Sequence, residues 1–173
     1  LSTEEVIAYN LPFAKSLFGY FAESFPKAKL YMHQTWVYEL GYLKNYASGD
    51  FKIETVADQQ AYTQKTRDVV TAICEDNGID RINTGDAWEL YRAACDEAGI
   101  EHNLCARLGN NGNKGDGGHD GDIGGGQYLN ACVWFETLTG QSCIGNTFRP
   151  NYELPEALIV KLQNAAHCAV ENT

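Results

Sequence analysis

The chain has 173 residues, of which 44% are apolar, and it carries 23 acidic against 13 basic residues for a formal charge of −10. This length suits one domain spanning residues 1–173, and the apolar fraction excludes a wholly disordered chain. The apolar runs are far shorter than the roughly 20 residues of a membrane helix, so we expect no membrane span. The acidic balance and the lack of a Lys/Arg cluster argue against nucleic acid as a partner.

The first third of the chain predicts a long helix, a strand and a loop. Ser2 and Glu5 have the spacing of a capping box. Apolar residues continue at helical intervals beyond Pro12, which we expect to kink or restart the helix. Residues 27–35 are typical of a strand, whereas residues 37–54 follow no clean period and predict a long aromatic loop.

The remainder of the chain alternates helices with short strands. Helices are predicted over residues 62–78, 86–99 and 127–138 and from about Pro155, with Asp86 capping the second, and strands over 79–84 and near 103–107. This alternation favours βαβ units and a parallel sheet. Because usual sheets have about four to six strands, we expect some strands to lie outside this sequence. A mostly helical domain with a small sheet is the alternative.

Cysteine usage predicts neither a metal site nor a cofactor. The six cysteines are Cys74, Cys95, Cys105, Cys132, Cys143 and Cys168. They form no CxxC pair, which zinc sites usually contain. Several lie among small or apolar neighbours in predicted helices, as buried free thiols do, although an even number also permits disulfides.

The segment 109–126 is the one most suggestive of chemistry, since nine of its eighteen residues are glycine. Within it, Asp116 lies three residues before His119. A carboxylate at this spacing can accept a hydrogen bond from imidazole Nδ1 and leave Nε2 as a base toward a hydroxyl nucleophile. A linker with a solvated histidine, or a structural cation site at Asp120 and Asp122, are the competing interpretations.

The stretch DGGHDGDIGGGQYLNACVWFETLTG, which contains this motif, resembles the final block of SGNH (GDSL-type) hydrolases. It is more closely similar to an uncharacterised bacterial family of SGNH-like proteins, a domain of unknown function. HQTWVY at residues 33–38 and INTGDAW at residues 82–88 resemble earlier segments of that family in the same order. The resemblance therefore covers nearly all of the chain, as the C-terminal bulk of such a domain.

The resemblance implies an α/β fold, a flavodoxin-like three-layer α/β/α sandwich with a parallel sheet that lacks its N-terminal strands here. It also implies ester hydrolysis, commonly deacetylation of carbohydrates, with Asp116 as the triad acid and His119 as the general base. The family's nucleophilic serine follows the first strand, and no Gly-Asp-Ser or Gly-Asn-Ser precedes Asp116. Because the chain starts at Leu1 without an initiator Met, we expect the nucleophile on a preceding segment and the 173-residue chain alone to be inactive. Family members are often bacterial exported proteins.

Aromatic residues near the first predicted strand are candidates for substrate binding. Trp36 follows the end of that strand, where open α/β sheets bind ligands. Together with Tyr38 and Tyr42 it can stack on a sugar ring, which fits a carbohydrate or small-molecule ester. The alternatives are aromatic packing at the rim of a sheet, and a non-catalytic carbohydrate-binding module of the same fold.

Overall fold

The computed structural model describes residues 1–46, 49–108, 114–116, 124–149 and 154–172, with backbone only for residues 43–46, 49–51, 106–108 and 114–116. In chain order the elements are α1 (Thr3–Ser24), β1 (Tyr31–His33), β2 (Tyr42–Tyr46), β3 (Gly49–Ile53), α2 (Val56–Asn77), β4 (Asp80–Ile82), α3 (Thr84–Glu97), β5 (Ala106–Leu108), β6 (Lys114–Asp116), α4 (Gly126–Thr139) and α5 (Glu156–Glu171). Across the described ranges, no helix is both long and apolar enough to cross a membrane.

The predicted flavodoxin-like three-layer sandwich is wrong. The structure is mostly helical, and each sheet in its described part has only two strands. Among the described strands, the parallel pair is β1 with β4, which are three residues long and align Tyr31 with Asp80 and His33 with Ile82. The pairs β2–β3 and β5–β6 are antiparallel. The alternative of a helical domain with a small sheet is therefore the correct one.

Helix-on-helix packing explains why no larger sheet is needed. The helices α3, α4 and α5 pack against one another, and their facing side chains form the core. The fully buried members include Trp88, Tyr91, Leu129, Val133, Ile159, Leu162 and Ala166. Small residues on α5, among them Ala165 and Ala169, let the helices approach closely. The apolar faces that suggested a missing sheet are thus covered by neighbouring helices.

Several helix ends follow the sequence signals, whereas α2 begins at Val56, before the predicted residue 62, and the start of α3 also differs. The capping box of Ser2 and Glu5 is confirmed, and α1 continues through Pro12 without a break. Gly140, in the left-handed conformation at φ 68°, ends α4 close to the predicted end at residue 138. Asp86 does not cap α3, because that helix starts earlier, with Asn83 at the N-cap.

Residues 37–54 do not form the predicted long loop. The strands β2 and β3 pair along five registered positions, from Tyr42 opposite Ile53 to Tyr46 opposite Gly49. Ile53 is fully buried at the end of this hairpin. Pairing between neighbouring strands supplies the backbone hydrogen bonds, so the hairpin forms although its sequence lacks clean alternation.

Candidate functional site

The carboxyl ends of the two parallel strands bring a histidine to a hydroxyl. His33 ends β1, and Thr84 opens α3 directly after β4. The Nε2 atom of His33 lies 2.8 Å from Oγ1 of Thr84. Thr84 is fully buried, so its hydroxyl is closed to substrate and the contact connects β1 to α3.

The environment of His33 keeps its ring neutral near pH 7. Its edge meets the rings of Trp36 and Trp134, with centroids 6.0 Å and 5.4 Å away. Burial lowers the pKa of His33 below the ordinary value of 6.5, because a charged imidazolium would lose its hydration. His33 thus serves as a packed, hydrogen-bonded histidine at the strand edge.

Trp36, a predicted substrate-binding residue, stacks on a core tryptophan. Its ring lies 4.5 Å from that of Trp88 at an interplanar angle of 13°. Trp88 is fully buried, and its Nε1 donates to Oδ1 of Asn130 at 2.7 Å. One face of Trp36 is therefore covered by a core ring, and the residue as a whole is half-buried.

The other two predicted substrate-binding residues form a pair. The rings of Tyr38 and Tyr42 are parallel within 2°, with centroids 3.7 Å apart. Both side chains are half-buried. The carbonyl oxygen of Tyr38 accepts a hydrogen bond from Nε2 of Gln59 at 2.8 Å, which fixes the backbone of the pair against α2.

The predicted acid and base lie at the border of the described structure. Asp116 ends β6 and its backbone pairs with Ala106 of β5. The side chain of Asp116 lies outside the described residues, as do the whole of His119 and the candidate cation ligands Asp120 and Asp122. The predicted contact between Asp116 and His119 therefore stays a prediction.

The glycine-rich segment rejoins the described structure through two close backbone contacts. A Cβ atom on Gly124 would lie 1.8 Å from the carbonyl oxygen of Asn103. A Cβ on Gly126 would lie 2.5 Å from the carbonyl oxygen of Leu104 and 2.7 Å from the ring of Trp88. Only glycine fits such approaches. The residues on both sides of segment 117–123 are thus attached to the short stretch 103–106.

A buried ion pair that the sequence did not reveal connects this stretch to the tyrosine pair. Oε1 of Glu39 accepts from the backbone N–H of Leu104 at 2.9 Å and from Nη2 of Arg92 at 3.0 Å. Arg92 also donates to the carbonyl oxygen of Val37 at 2.7 Å. Val37 and Glu39 flank Tyr38. The ion pair of Glu39 and Arg92 therefore connects the backbone beside the tyrosine pair to Leu104 in the stretch 103–106. Glu39 and Arg92 are 53 residues apart, and no local pattern links them.

A separate cavity of about 450 Å³ is lined by residues of α2, β4, α3 and α5. Its charged side chains pair with one another. Arg67 Nε lies 2.9 Å from Oδ1 of Asp86, Arg67 Nη2 lies 3.0 Å from Oε2 of Glu89, and Arg81 Nη2 lies 3.2 Å from Oδ2 of Asp86. Two arginines balance two carboxylates, so the cavity offers no net charge to a ligand.

Comparisons with known proteins identified no relative of this chain. A scan against protein-family models found no match, and neither a search of curated proteins nor one of solved structures found one. Within the described part of the chain, no cluster of three or more His, Cys, Asp or Glu side chains could hold a metal ion.

Proposed function

We propose that this chain supplies the acid and base of a serine-type ester hydrolase, Asp116 and His119, for a carbohydrate or small-molecule ester. The D-x-x-H spacing and the resemblance to SGNH-like sequences support these roles. The proposal is independent of the flavodoxin-like fold, which the chain does not adopt. The observation that carries it is the attachment of Asp116 and Gly124 to the stretch 103–106, which restrains both ends of the segment that holds His119.

The proposed chemistry is acyl transfer in two steps. Nε2 of His119 takes the proton from a serine hydroxyl supplied from outside these 173 residues, while Asp116 accepts the Nδ1–H and stabilises the imidazolium. The serine oxygen then attacks the ester carbonyl, and His119 passes its proton to the leaving alcohol. In the second step His119 activates water, which hydrolyses the acyl-serine.

Substrate binding is assigned to Tyr38, Tyr42 and Trp36. Tyr38 and Tyr42 present a flat stacked pair, and aromatic faces bind the apolar faces of sugar rings. Glu39, adjacent to Tyr38, is hydrogen-bonded to Leu104. Leu104 belongs to the stretch 103–106, which contacts Asp116 and Gly124. This connection favours a sugar held by the tyrosines near the proposed base, with Trp36 as a further wall.

The test is an esterase assay of the complete gene product on acetylated sugars and nitrophenyl acetate. We expect His119→Ala and Asp116→Asn to lower kcat by about 100-fold or more, as loss of a general base does. The control His102→Gln alters a histidine that pairs with Asp96 at 3.1 Å and should leave kcat unchanged. Full hydrolysis by His119→Ala would refute the proposal. The 173-residue chain alone should show no turnover.

A non-catalytic carbohydrate-binding module is the other outcome that this experiment can detect. In that case the complete gene product would bind sugars without hydrolysing them, and binding would survive the double change Asp116→Asn and His119→Ala. The variant Tyr38→Ala distinguishes the two cases further. It raises KM if the tyrosines bind the substrate of an esterase, and it abolishes sugar binding if they form a binding module.

A further inference from the structure

One cysteine is buried in an otherwise exposed stretch of chain. From Gly140 to Arg149 every residue is exposed except Cys143, which is 1% exposed. All six cysteines are free thiols, and only Cys168 is exposed, although its sequence predicted burial in a helix. Cys143 therefore anchors this stretch, here called the post-α4 segment, to the helices beneath it.

The contacts of Cys143 fix where its thiol lies. Its backbone N–H donates to Oε1 of the buried Glu136 at 2.6 Å. Its Sγ donates to the carbonyl oxygen of Gln163 on α5 at 3.6 Å. The side chain of Gln163 in turn donates to the hydroxyl of Tyr128 at 2.8 Å. Cys143 thus contacts Glu136 on α4 through its backbone and Gln163 on α5 through its thiol.

Cys132 is a second buried cysteine, and it lies next to Cys143. Tyr128, Cys132 and Glu136 are spaced four residues apart, so they line one face of α4 on successive turns. A side-chain hydrogen bond joins Cys132 to Cys143, so the two thiols are in contact, one turn of α4 from the Glu136 carboxylate that accepts from the Cys143 N–H. This contact between the thiols lowers the pKa of Cys132 and raises the pKa of Cys143, which makes Cys132 the better nucleophile of the two.

We propose that Cys132 and Cys143 form a redox-active dithiol, which a low-molecular-weight disulfide such as oxidised glutathione converts to an intramolecular disulfide. The Cys132 thiolate attacks one sulfur of the glutathione disulfide, and the S–S bond breaks with release of one glutathione thiolate. Cys143 then loses its proton to solvent and attacks Sγ of Cys132, which expels the second glutathione. The two cysteines are oxidised and one glutathione disulfide is reduced to two thiols, so electrons balance.

The surrounding structure provides a route for the reagent and a consequence of the reaction. The exposed post-α4 segment covers the pair, and its lifting opens the thiols to small disulfides. Closure of the bond ties this segment covalently to α4, beside Gly145, whose N–H donates to Oε1 of Gln163 at 2.9 Å. Oxidation therefore locks the segment onto the helices α4 and α5.

The test starts from the reduced, natively folded chain carrying Cys168→Ser, which removes the exposed thiol. The sample is equilibrated with oxidised and reduced glutathione, the reaction is quenched with acid, and peptides are mapped by mass spectrometry. We expect a mass loss of about 2 Da, as two thiol hydrogens leave, and a peptide cross-linked through Cys132 and Cys143. Reversal by dithiothreitol should restore both thiols.

Matched variants identify the pair. Cys143→Ser should abolish the mass loss, and Cys132→Ala should do the same. The control Cys95→Ser alters another fully buried cysteine, on α3, and should leave the cross-link intact. The proposal is overturned if both thiols stay free in glutathione disulfide while the chain is folded by circular dichroism, or if the cross-linked peptide joins other cysteines. Mapping of the Cys168→Ser chain alone decides between these results even where a further variant fails to fold.

Discussion

The first helix and the α3–α5 core are built from similar residues but have opposite surroundings. In α1, 22 residues long, no side chain is buried, and Tyr9 and Phe13 are 67% and 65% exposed. In the core, Trp88 and Leu129 are fully buried. Apolar residues at helical intervals thus specify that a helix forms, whereas contact with other helices decides whether its apolar face is covered.

The difference has a steric origin. The helices α3, α4 and α5 meet through small side chains such as those of Ala166 and Ala169, and through Gly126, which touches Trp88 directly. Helix α1 packs along α2 through half-buried side chains, while its aromatic stripe points away. The rings of Tyr9 and Phe13 contact each other along that stripe at an interplanar angle of 50°, with centroids 5.6 Å apart. Stability should therefore respond very unequally to changes in the two regions.

The largest effect is expected from Leu129→Ala in the core. The side chain of Leu129 is fully buried, so truncation removes apolar contacts and leaves a cavity. We expect the free energy of unfolding to fall by about 2–5 kcal/mol, measured by urea denaturation followed by circular dichroism. A loss below about 1 kcal/mol would mean that the core is much looser than its packing indicates.

An intermediate, pH-dependent effect is expected at His33, on the edge of the core. Burial lowers its folded-state pKa below 6.5, so on acidification the unfolded state binds a proton before the folded state does. The stability contribution of His33 is thus complete above the unfolded pKa and is lost as pH falls below it. Thermal melts from about pH 8 to about pH 5 should show a smaller acid-induced fall in Tm for His33→Asn than for the unaltered chain.

His167 is the matched control for this prediction, because its shift has the opposite sign. The hydrogen bond to Glu136 raises the pKa of His167. Its contribution is therefore full below the unfolded pKa of His and is lost as pH rises through the folded pKa. The difference in Tm between the unaltered chain and His167→Gln should grow on acidification. Parallel profiles for the His33 and His167 variants would contradict the assignment of both shifts.

The smallest effect is expected from Phe13→Ala on α1. Because this ring is largely exposed, its removal should change the free energy of unfolding by no more than about 0.5 kcal/mol. Urea denaturation under the conditions used for Leu129→Ala provides the direct comparison. A loss of about 2 kcal/mol or more would show that the aromatic stripe is covered in solution.

Local signals predicted the helices well and the long-range contacts poorly. The capping box at Ser2 depends on residues within one turn and is confirmed, and α4 ends within about one residue of its predicted end at residue 138. Asp86 was wrongly expected to cap α3, which begins earlier, at Thr84. Asp86 pairs instead with Arg67 of α2 and Arg81 of β4. The partners of a charged side chain depend on which elements meet, and spacing along the chain does not encode this.

The candidate site shows the same difference between local features, which the sequence predicted, and long-range contacts, which it did not. The sequence singled out Asp116 and His119 by their spacing, and it selected Tyr38 and Tyr42 as aromatic residues near a strand end. The stacking of those two tyrosines and the covering of Trp36 by a core ring appeared only in the structure. Trp36 and Trp88 are far apart in sequence, so their stacking depends on how the residues after β1 pack against α3.

The sequence by itself located the helices and several of their ends, because capping, glycine conformation and apolar periodicity act over a few residues. Tertiary structure alone decided the architecture. The helix faces that the sequence assigned to a broad parallel sheet are buried against other helices, and the aromatic face of α1 is left exposed. Apolar burial is non-directional, so a helix face specifies that it favours an apolar neighbour without specifying whether that neighbour is a strand or a helix.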